Sequence, residues 1–550
     1  MDRYDAREVA PSGEPAAIMV PPSTLGRVVV AEPFDERGVA VLRDAGAEVV
    51  SVIGGPREAL HEALREARGL IVRSETKVDA ALLAAAPHLE VVARAGVGVD
   101  AIDVDAATAA GIVVVNTPSA NTLAATEHTF ALLLAAMRHV PQAHASVHRG
   151  HWERKPFVGH ELYGKVLGIV GLGRIGSNVA ARAAAFGMHV FAHDPYIAAS
   201  RAKALGVELL RFEDLLDRAQ IVTLHVPLTA QTRGMIDARA LARMSHDAVL
   251  VNCARGAVID ADALIETLEA GRLRAVAIDV VPEEPPSPGS ASARIMAHDR
   301  VVATPHLGGS TYEALERIAL ELAGDVVRVL GGRPASGAVN VPMLRGADAE
   351  RAHAFIDLAH RLGALLPQLF DEALREEIAL VLCGEIAGVE ADPFVAALLA
   401  GALPLVTDRR ATLVNAAAIA RELGVRTAIS HESDASPFRA AIVVAAGAHR
   451  VVGTVLPHGP RIVEIDGFEI DAVAEGTMLL THHRDVPGMV GRIGTILGDA
   501  DVNISTMQVA RTGRGGEAMM VLEVDREIGG EVLDAIARVE GMRAVRLVRM

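Results

Sequence analysis

Three polar residues stand at or just beyond the ends of short apolar segments: Arg255 after VLVNCA, Glu284 after VAIDVVPE and His306 after VVATP. That set suits hydride transfer from a secondary alcohol. The hydroxyl proton needs an acceptor, which an imidazole provides, and a carboxylate or developing carbonyl oxygen needs a positive partner, which a guanidinium provides. A carboxylate beside the imidazole orients the ring and favours its protonated form. Taken singly, each has an ordinary reading: Arg255 a surface cation, Glu284 part of a solvated turn, His306 a satisfied loop histidine. Their shared placement at strand ends is what gives them weight.

A second chemical signal is the GxGxxG run formed by Gly171, Gly173 and Gly176. It follows the apolar segment VLGIV, opens the helical segment RIGSNVAARAAAF, and is succeeded by Asp194 at the end of the next apolar segment. That setting marks a dinucleotide-binding turn rather than a plain glycine turn. The glycines permit the tight turn and close backbone approach, while the helix N-terminus offers N–H donors and a positive dipole end to a pyrophosphate. Asp194 can accept the hydroxyls of the adenosine ribose and would repel a 2′-phosphate, so NAD is expected rather than NADP.

Elements must carry these residues. From Arg27 short apolar segments (RVVVAEPF, AEVVSVI, GLIVRS, LEVVARAG, GIVVVNTP) alternate with amphipathic stretches, the pattern of a parallel sheet covered on both faces. A long helix is expected over SANTLAATEHTFALLLAAMRHV, ending near Pro141. A second α/β series starts at Lys165, and after His306 a helix precedes GAVNVP, where the first unit is rejoined. Beyond about residue 345 the style changes, to an amphipathic helix with Phe355, Leu358, Leu362 and Leu369 on one face, then strands and hairpins through GPRIVEIDGFEIDAV. After a short linker at 474–476, the rest reads βαββαβ, the ferredoxin-like order. The expected class is α/β: two Rossmann-like doubly wound domains, an α+β domain and a small ferredoxin-like domain. Boundaries fall at 26–117 with 307–342 for one unit, 118–306 for the dinucleotide unit, then 345–473 and 477–550.

Composition narrows the function classes. The 550 residues include 53 Lys plus Arg against 69 Asp plus Glu, a net charge of −16, which disfavours unassisted binding to nucleic acid or an anionic membrane. The mean hydropathy of +0.30 comes from Ala and Val spread along the chain, and no apolar run approaches the ~20 residues of a spanning helix. Two cysteines, Cys253 and Cys383, are too few for a disulfide framework or a cysteine-based zinc site, and a reducing cytoplasm fits them. No metal is expected. Residues 1–25 mix acids, bases and prolines without an apolar core, the pattern of a loose extension and not of a secretory signal.

GLGRIG, VNCARGAVID, AIDVVPEEPP and TPHLGGST resemble the D-isomer-specific 2-hydroxyacid dehydrogenases over about residues 27–342. The resemblance implies a catalytic trio at Arg255, Glu284 and His306. It further implies cofactor contacts at Gly171, Gly173, Arg174, Ile175, Gly176, Asp194, Val226, Cys253, Ala254, Arg255, Asp279, His306, Gly308 and Gly309. Cys253 is then a packing residue, since nothing nearby would activate a thiolate.

Within the family, RSETKVDAALL, ARAGVGVDAID and WERKPFVGHELYGK are most similar to the branch acting on 3-phosphoglycerate. The activity so implied is NAD-dependent oxidation of 3-phospho-D-glycerate to 3-phosphohydroxypyruvate, the first step of phosphorylated L-serine synthesis. Arg73 and Arg94 suit the phosphate, because guanidinium forks match its oxygens. The N–H groups of Gly96, Val97 and Gly98 suit the carboxylate, with Val97 standing where many relatives carry a hydrogen-bonding side chain. Arg154 and Lys155 lie where the resemblance implies contact between subunits, with a solvated basic turn as the plain alternative. The rivals are a reductase for another 2-oxo acid, such as glyoxylate, hydroxypyruvate or 2-oxoglutarate, and an NAD-sensing binding protein.

The segment HHRDVPGMVGRIGTILGDADVNIS resembles the ACT domain, and residues 345–473 resemble the intervening domain of the long members of that branch. The ACT resemblance implies an amino-acid effector, L-serine, held between two copies by Asp485 and Asn503, with His483 a weaker contributor. A homodimer or homotetramer follows from that arrangement.

Overall fold

The structure is a computed structural model and describes residues 25–333, 335–342, 348–370, 374–375 and 377–550. The expected extension before Leu25 and the expected boundary at 345 lie outside the described residues.

Alternating apolar segments and helices build two wholly parallel sheets. The first holds β1 (Gly26–Val30), β2 (Ala47–Ser51), β3 (Ala67–Val72), β4 (Val91–Arg94) and β5 (Val113–Asn116) in the order β2-β1-β3-β4-β5. The second holds β6 (Val166–Val170), β7 (His189–His193), β8 (Glu208–Leu209), β9 (Ile221–Leu224), β10 (Ala248–Asn252), β11 (Leu273–Ile278) and β12 (Val301–Ala303) in the order β12-β11-β10-β9-β6-β7-β8. Strands such as AVLVN of β10 are buried on both faces because helices cover both. Asp79, Asp237 and Asp260 cap the helices that follow them, each accepting from a first-turn N–H, which starts those helices at defined points beside the sheet.

The chain crosses from the first sheet to the second once and returns once. The helix Thr122–Arg138 packs Phe130, Leu133 and Met137 into the core of the second sheet. It ends at Arg138, earlier than the expected stop at Pro141, because His139 turns left-handed (φ 53°). Pro141 instead sits in the first turn of the next helix, Val140–His148, where a missing N–H costs nothing. The return helix Tyr312–Leu330 brings Ile318, Leu322 and Val326 into the core of the first sheet. Ala338 then bridges to Val115, so GAVNVP rejoins the first unit.

Two further sheets follow. A mixed sheet contains β13 (Ile378–Gly384), β14 (Thr427–Glu432), β15 (Ala440–Ala446), β16 (His449–Leu456), β17 (Gly459–Ile465) and β18 (Phe468–Val473), in the order β14-β13-β15-β16-β17-β18. An antiparallel sheet of β19 (Thr477–Arg484), β20 (Ile504–Arg511), β21 (Glu517–Val524) and β22 (Met542–Arg549) has the ferredoxin-like order β20-β21-β19-β22. The expected linker at 474–476 is no loose connection. Ala474 is wholly buried in a core that also takes in Leu362 from the helix Asp348–Leu369 and Met478, Leu480, Val521 and Val548 from the antiparallel sheet. Gln368 and the backbone of Arg549 exchange two hydrogen bonds across the same seam. A loop before the helix Ala416–Glu422 reaches back to the first sheet: Arg410 donates to Leu89 O at 2.9 Å and Thr412 to Gly111 O at 3.2 Å.

Candidate active site

A parallel sheet sends the C-terminal ends of all its strands to one edge, which is where the sequence placed its polar residues. Arg73 follows β3, Arg94 ends β4, Arg255 lies just past β10 and His306 just past β12. The glycine loop lies between β6 and the helix Arg174–Ala185.

His306 and Glu284 meet, with Nδ1 of the imidazole 2.7 Å from Oε2. The other carboxylate oxygen accepts the N–H of Val281 at 3.0 Å, which fixes the rotamer of Glu284. With Nδ1 so engaged, Nε2 is the nitrogen left for proton transfer. His306 has a left-handed backbone (φ 57°), and its N–H donates to Asp279 O at 2.8 Å.

The arginines converge. Arg94 is held down to about 10, first by burial and then by the charges of Arg255 and Arg73. Its guanidinium donates to Ala95 O at 3.1 Å and folds back over Gly96, where any Cβ would collide with it. Arg255 donates through Nε to Asp100 Oδ2 at 3.0 Å and through Nη1 to Ala254 O at 2.8 Å. Its Nη2 passes over Gly98, where a Cβ would again collide. These two glycines are there so that cations can lie on the backbone.

The carboxylate expectation needs one correction. The N–H of Gly96 donates to Arg94 O at 2.8 Å and is spent; of the three, only Val97 and Gly98 have N–H groups making no bond among the described residues. Val97 offers no more than backbone, and its carbonyl is taken by Asn116 Nδ2 at 2.5 Å.

The cofactor residues fit a dinucleotide. Gly171 has φ +92° and a Cβ there would stand 2.5 Å from His225 O, so the turn requires glycine. Gly176 packs against Gly171 O too closely for any side chain. At Gly173, by contrast, a Cβ would meet nothing within 4 Å, and this residue caps the helix without any side-chain hydrogen bond. The loop therefore leaves open space in front of free helix N–H donors, a cradle for pyrophosphate. Arg174 is exposed beside it, its Nη1 donating to Pro118 O at 3.3 Å, while Ile175 turns partly into the core and Val226 flanks Gly171. Asp194 accepts from Leu172 N at 2.8 Å and Tyr196 N at 2.9 Å, which sets its carboxylate at the end of β7. A cavity of about 460 Å³ opens at the crossing between the two sheets, lined by Thr117, Ser119, Arg174 and Glu321 among others. Burial pushes the Cys253 thiol up to about 12, which bars it from thiolate chemistry.

Asp279, for which the resemblance implied a cofactor contact, has both carboxylate oxygens engaged within the chain. Its Oδ1 accepts from Thr304 (2.6 Å), Leu307 N (2.7 Å) and His128 Nε2 (3.1 Å), and its Oδ2 accepts from Gly308 N (2.7 Å). Those bonds outweigh burial and hold its carboxyl down to about 2. Asp279 thus clamps the backbone immediately after His306, and Gly308 is part of the clamp. Gly309 lies against Asn121, whose buried Oδ1 has no partner among the described residues.

Other expected residues stay apart. The Arg154 and Lys155 side chains are exposed at a short turn and, among the described residues, make no hydrogen bond or ion pair. In the antiparallel sheet β19 and β20 both run antiparallel to β21, so Asp485, just past the end of β19, and Asn503, just before β20, stand at opposite ends. Roughly 20 Å of strand separates them, so within one chain they cannot share a ligand, and the expected site between two copies is the arrangement in which they could. Asp485 accepts from Gly515 N at 3.2 Å, and Asn503 donates to Asp525 at 2.6 Å. His483 is only 2% exposed and bonds Thr481 at 3.2 Å, which removes its ring from any surface site. The sequence reading missed Glu32, Asp100, Asn121 and His128. Only Glu32 carried a local signal, an acid directly after the apolar run VVVA.

Comparison with known proteins gives the family of three stretches of the chain. Residues 130–308 match the profile of the D-isomer specific 2-hydroxyacid dehydrogenase NAD binding domain, 351–466 that of the D-3-phosphoglycerate dehydrogenase intervening domain, and 477–541 the ACT domain. Over 527 residues the chain is 39% identical to D-3-phosphoglycerate dehydrogenase of Bacillus subtilis (strain 168), covering 95% of this chain and 99% of that one. The chain belongs to the D-3-phosphoglycerate dehydrogenase family. The member from Mycobacterium tuberculosis (strain ATCC 25618 / H37Rv) is 42% identical over 517 residues, covering 93% of this chain and 96% of that one. Among solved structures, the TT0316 protein from Thermus thermophilus is 36% identical with a TM-score of 0.53, covering 57% of this chain and 99% of its own. D-lactate dehydrogenase from Aquifex aeolicus, complexed with NAD and lactic acid, is 27% identical with a TM-score of 0.51, covering 56% and 96%. As a member of the D-3-phosphoglycerate dehydrogenase family the chain is an NAD-binding 2-hydroxyacid dehydrogenase with an ACT module. No described helix is long and apolar enough to cross a membrane.

Proposed function

We propose that this chain oxidises 3-phospho-D-glycerate to 3-phosphohydroxypyruvate in the cytoplasm, as the first step of phosphorylated L-serine synthesis. The observation that carries the reading is the gathering of Arg94 over Gly96, Arg255 over Gly98 and Arg73 just past β3, where burial first and then the neighbouring cations hold Arg94 down to about 10. Such mutual repulsion is sustained where an anionic ligand balances it, and 3-phosphoglycerate brings a carboxylate and a phosphate. Gly171–Gly176 and Asp194 would hold NAD, which would supply the hydride acceptor. Arg255 Nη2 with the N–H groups of Val97 and Gly98 grips the carboxylate, and Arg73 and Arg94 the phosphate. His306 Nε2 takes the C2 hydroxyl proton, while Glu284 fixes the ring and balances the imidazolium.

L-serine is the proposed feedback ligand, and the working unit a homodimer or homotetramer. The opposite placement of Asp485 and Asn503 supports a pocket completed by a second copy. Trp152 and Val158, 77% and 75% exposed beside Arg154 and Lys155, support a separate contact between copies at that turn. NADH production from 3-phosphoglycerate, with and without L-serine, tests both. Absence of turnover overturns the substrate assignment, and turnover indifferent to serine overturns the regulatory one. A charge reversal at Arg73 that spares glyoxylate while abolishing the phosphorylated substrate separates this reading from a general 2-oxo acid reductase.

A further inference from the structure

We infer that Glu32 is a specificity-positioning residue: by gathering the backbone of residues 73–76 onto its carboxylate, it aims Arg73 at the phosphate end of the substrate. The inference rests on the substrate reading above. Glu32 lies just beyond β1 and is 5% exposed. Its Oε1 accepts the N–H groups of Arg73 (2.8 Å) and Thr76 (2.9 Å), and its Oε2 those of Ser74 (3.1 Å) and Glu75 (3.2 Å). Four consecutive amides thus converge on one side chain, 41 to 44 residues earlier in the chain.

Two consequences follow. The loop begins at Arg73, directly after β3, so its shape decides where that guanidinium leaves the sheet. The four N–H groups also occupy the lone-pair sites of Glu32. Although close enough to raise the Arg94 pKa, Glu32 forms no ion pair with Arg73 or Arg94 among the described contacts. The amides lower its own pKa despite burial, so it stays ionised. A carboxylate thereby stands beside the arginines without consuming them, and their donors remain for the ligand. A surface ion pair at this point would have shaped the loop by spending a guanidinium.

The test is steady-state kinetics of the full-length enzyme with Glu32→Gln. The amide presents an N–H₂ group to two of the four backbone donors, so the loop must open. The expected result is a KM for 3-phosphoglycerate raised about 10- to 100-fold, with kcat and the KM for NAD within about threefold of the parent. Inorganic phosphate, used as a competitive probe, should weaken by a similar factor. Equal loss in kcat and KM, or unchanged KM and unchanged phosphate inhibition, overturns the inference. If Glu32→Gln does not fold, Glu32→Asp, one methylene short of the loop, is read by the same split. A parent enzyme that fails to oxidise 3-phosphoglycerate overturns the underlying substrate reading and this inference with it. A parent that turns over while Glu32 variants leave KM untouched overturns this inference alone.

Discussion

The parallel-sheet cleft and the ACT module both place short polar segments at strand ends, yet within one chain those of the first come together and those of the second stand apart. In each parallel sheet every strand ends on the same edge, and the Arg255–Asp100 contact joins the edge of one sheet to the other, so Arg73, Arg94 and Arg255 meet although 182 positions separate the first from the last. In the antiparallel ACT sheet the end of β19 and the start of β20 face opposite ways, so Asp485 and Asn503 diverge although only 18 positions separate them. Strand direction, more than sequence distance, decides which residues meet. Under the proposed function it would also assign roles: a cleft formed within one chain could do chemistry in each subunit, whereas a pocket between two copies would report on how those copies are arranged.

The comparison can be broken at its strongest point first. Removing the base with His306→Ala should lower kcat by about a thousandfold, with little change in the KM for NAD, as read by NADH formation. A loss of less than about tenfold would place the proton acceptor elsewhere. Next come the glycines beneath the arginines. Gly98→Ala drives a Cβ into Arg255 and should cost about 10- to 100-fold in kcat/KM for 3-phosphoglycerate. Gly173→Ala meets nothing within the chain, so its thermal midpoint should stay put while NAD affinity falls about tenfold. Gly176→Ala, pressed against the Gly171 carbonyl, should lower the midpoint itself.

A smaller effect concerns the Asp279 clamp. Its carboxyl is held at about 2 against an ordinary value of 3.8, so the folded state prefers the ionised form. The stabilisation is present above the ordinary value and is lost as pH falls from about 4 to about 2, amounting to roughly 2 kcal/mol. Acid unfolding of Asp279→Asn should show a correspondingly flatter limb over that window; an identical limb would mean the clamp contributes nothing. The last test addresses the second region. Asp485→Ala and Asn503→Ala homodimers should each lose serine binding, but a mixed dimer should regain half of the sites, because one of its pockets combines the intact Asp485 of one copy with the intact Asn503 of the other. Calorimetry finding no recovered sites would place both residues in a single-chain pocket.

Much of this was legible in the chain. The glycine loop, Arg255, Glu284 and His306 are marked by local sequence, since each lies within a few residues of the apolar strand that carries it. The Asp279 clamp was not legible: His128 and Asp279 are 151 residues apart, and nothing in either segment announces the other. Nor was the buried state of Ala474, the first residue of the short 474–476 linker, which lies in a core shared by two sheets while Glu475 and Gly476 stay exposed. Pro141 misled in a different way. As a helix breaker it marked a boundary correctly in kind, but a proline is as comfortable opening a helix as following one.

By itself the sequence determined the alternation that makes parallel sheets, the dinucleotide turn, the candidates proposed as reacting side chains and an excess of negative charge. Those properties are written in periodicity and in residues read a few positions at a time. Only the tertiary structure decided that three arginines would meet against the −16 background, that Glu32 would be saturated by amides and so form no ion pair with Arg73 or Arg94, and that Asp485 and Asn503 would part. Such outcomes depend on strand direction and on which lone pairs are already taken, and both are settled when distant segments pack together.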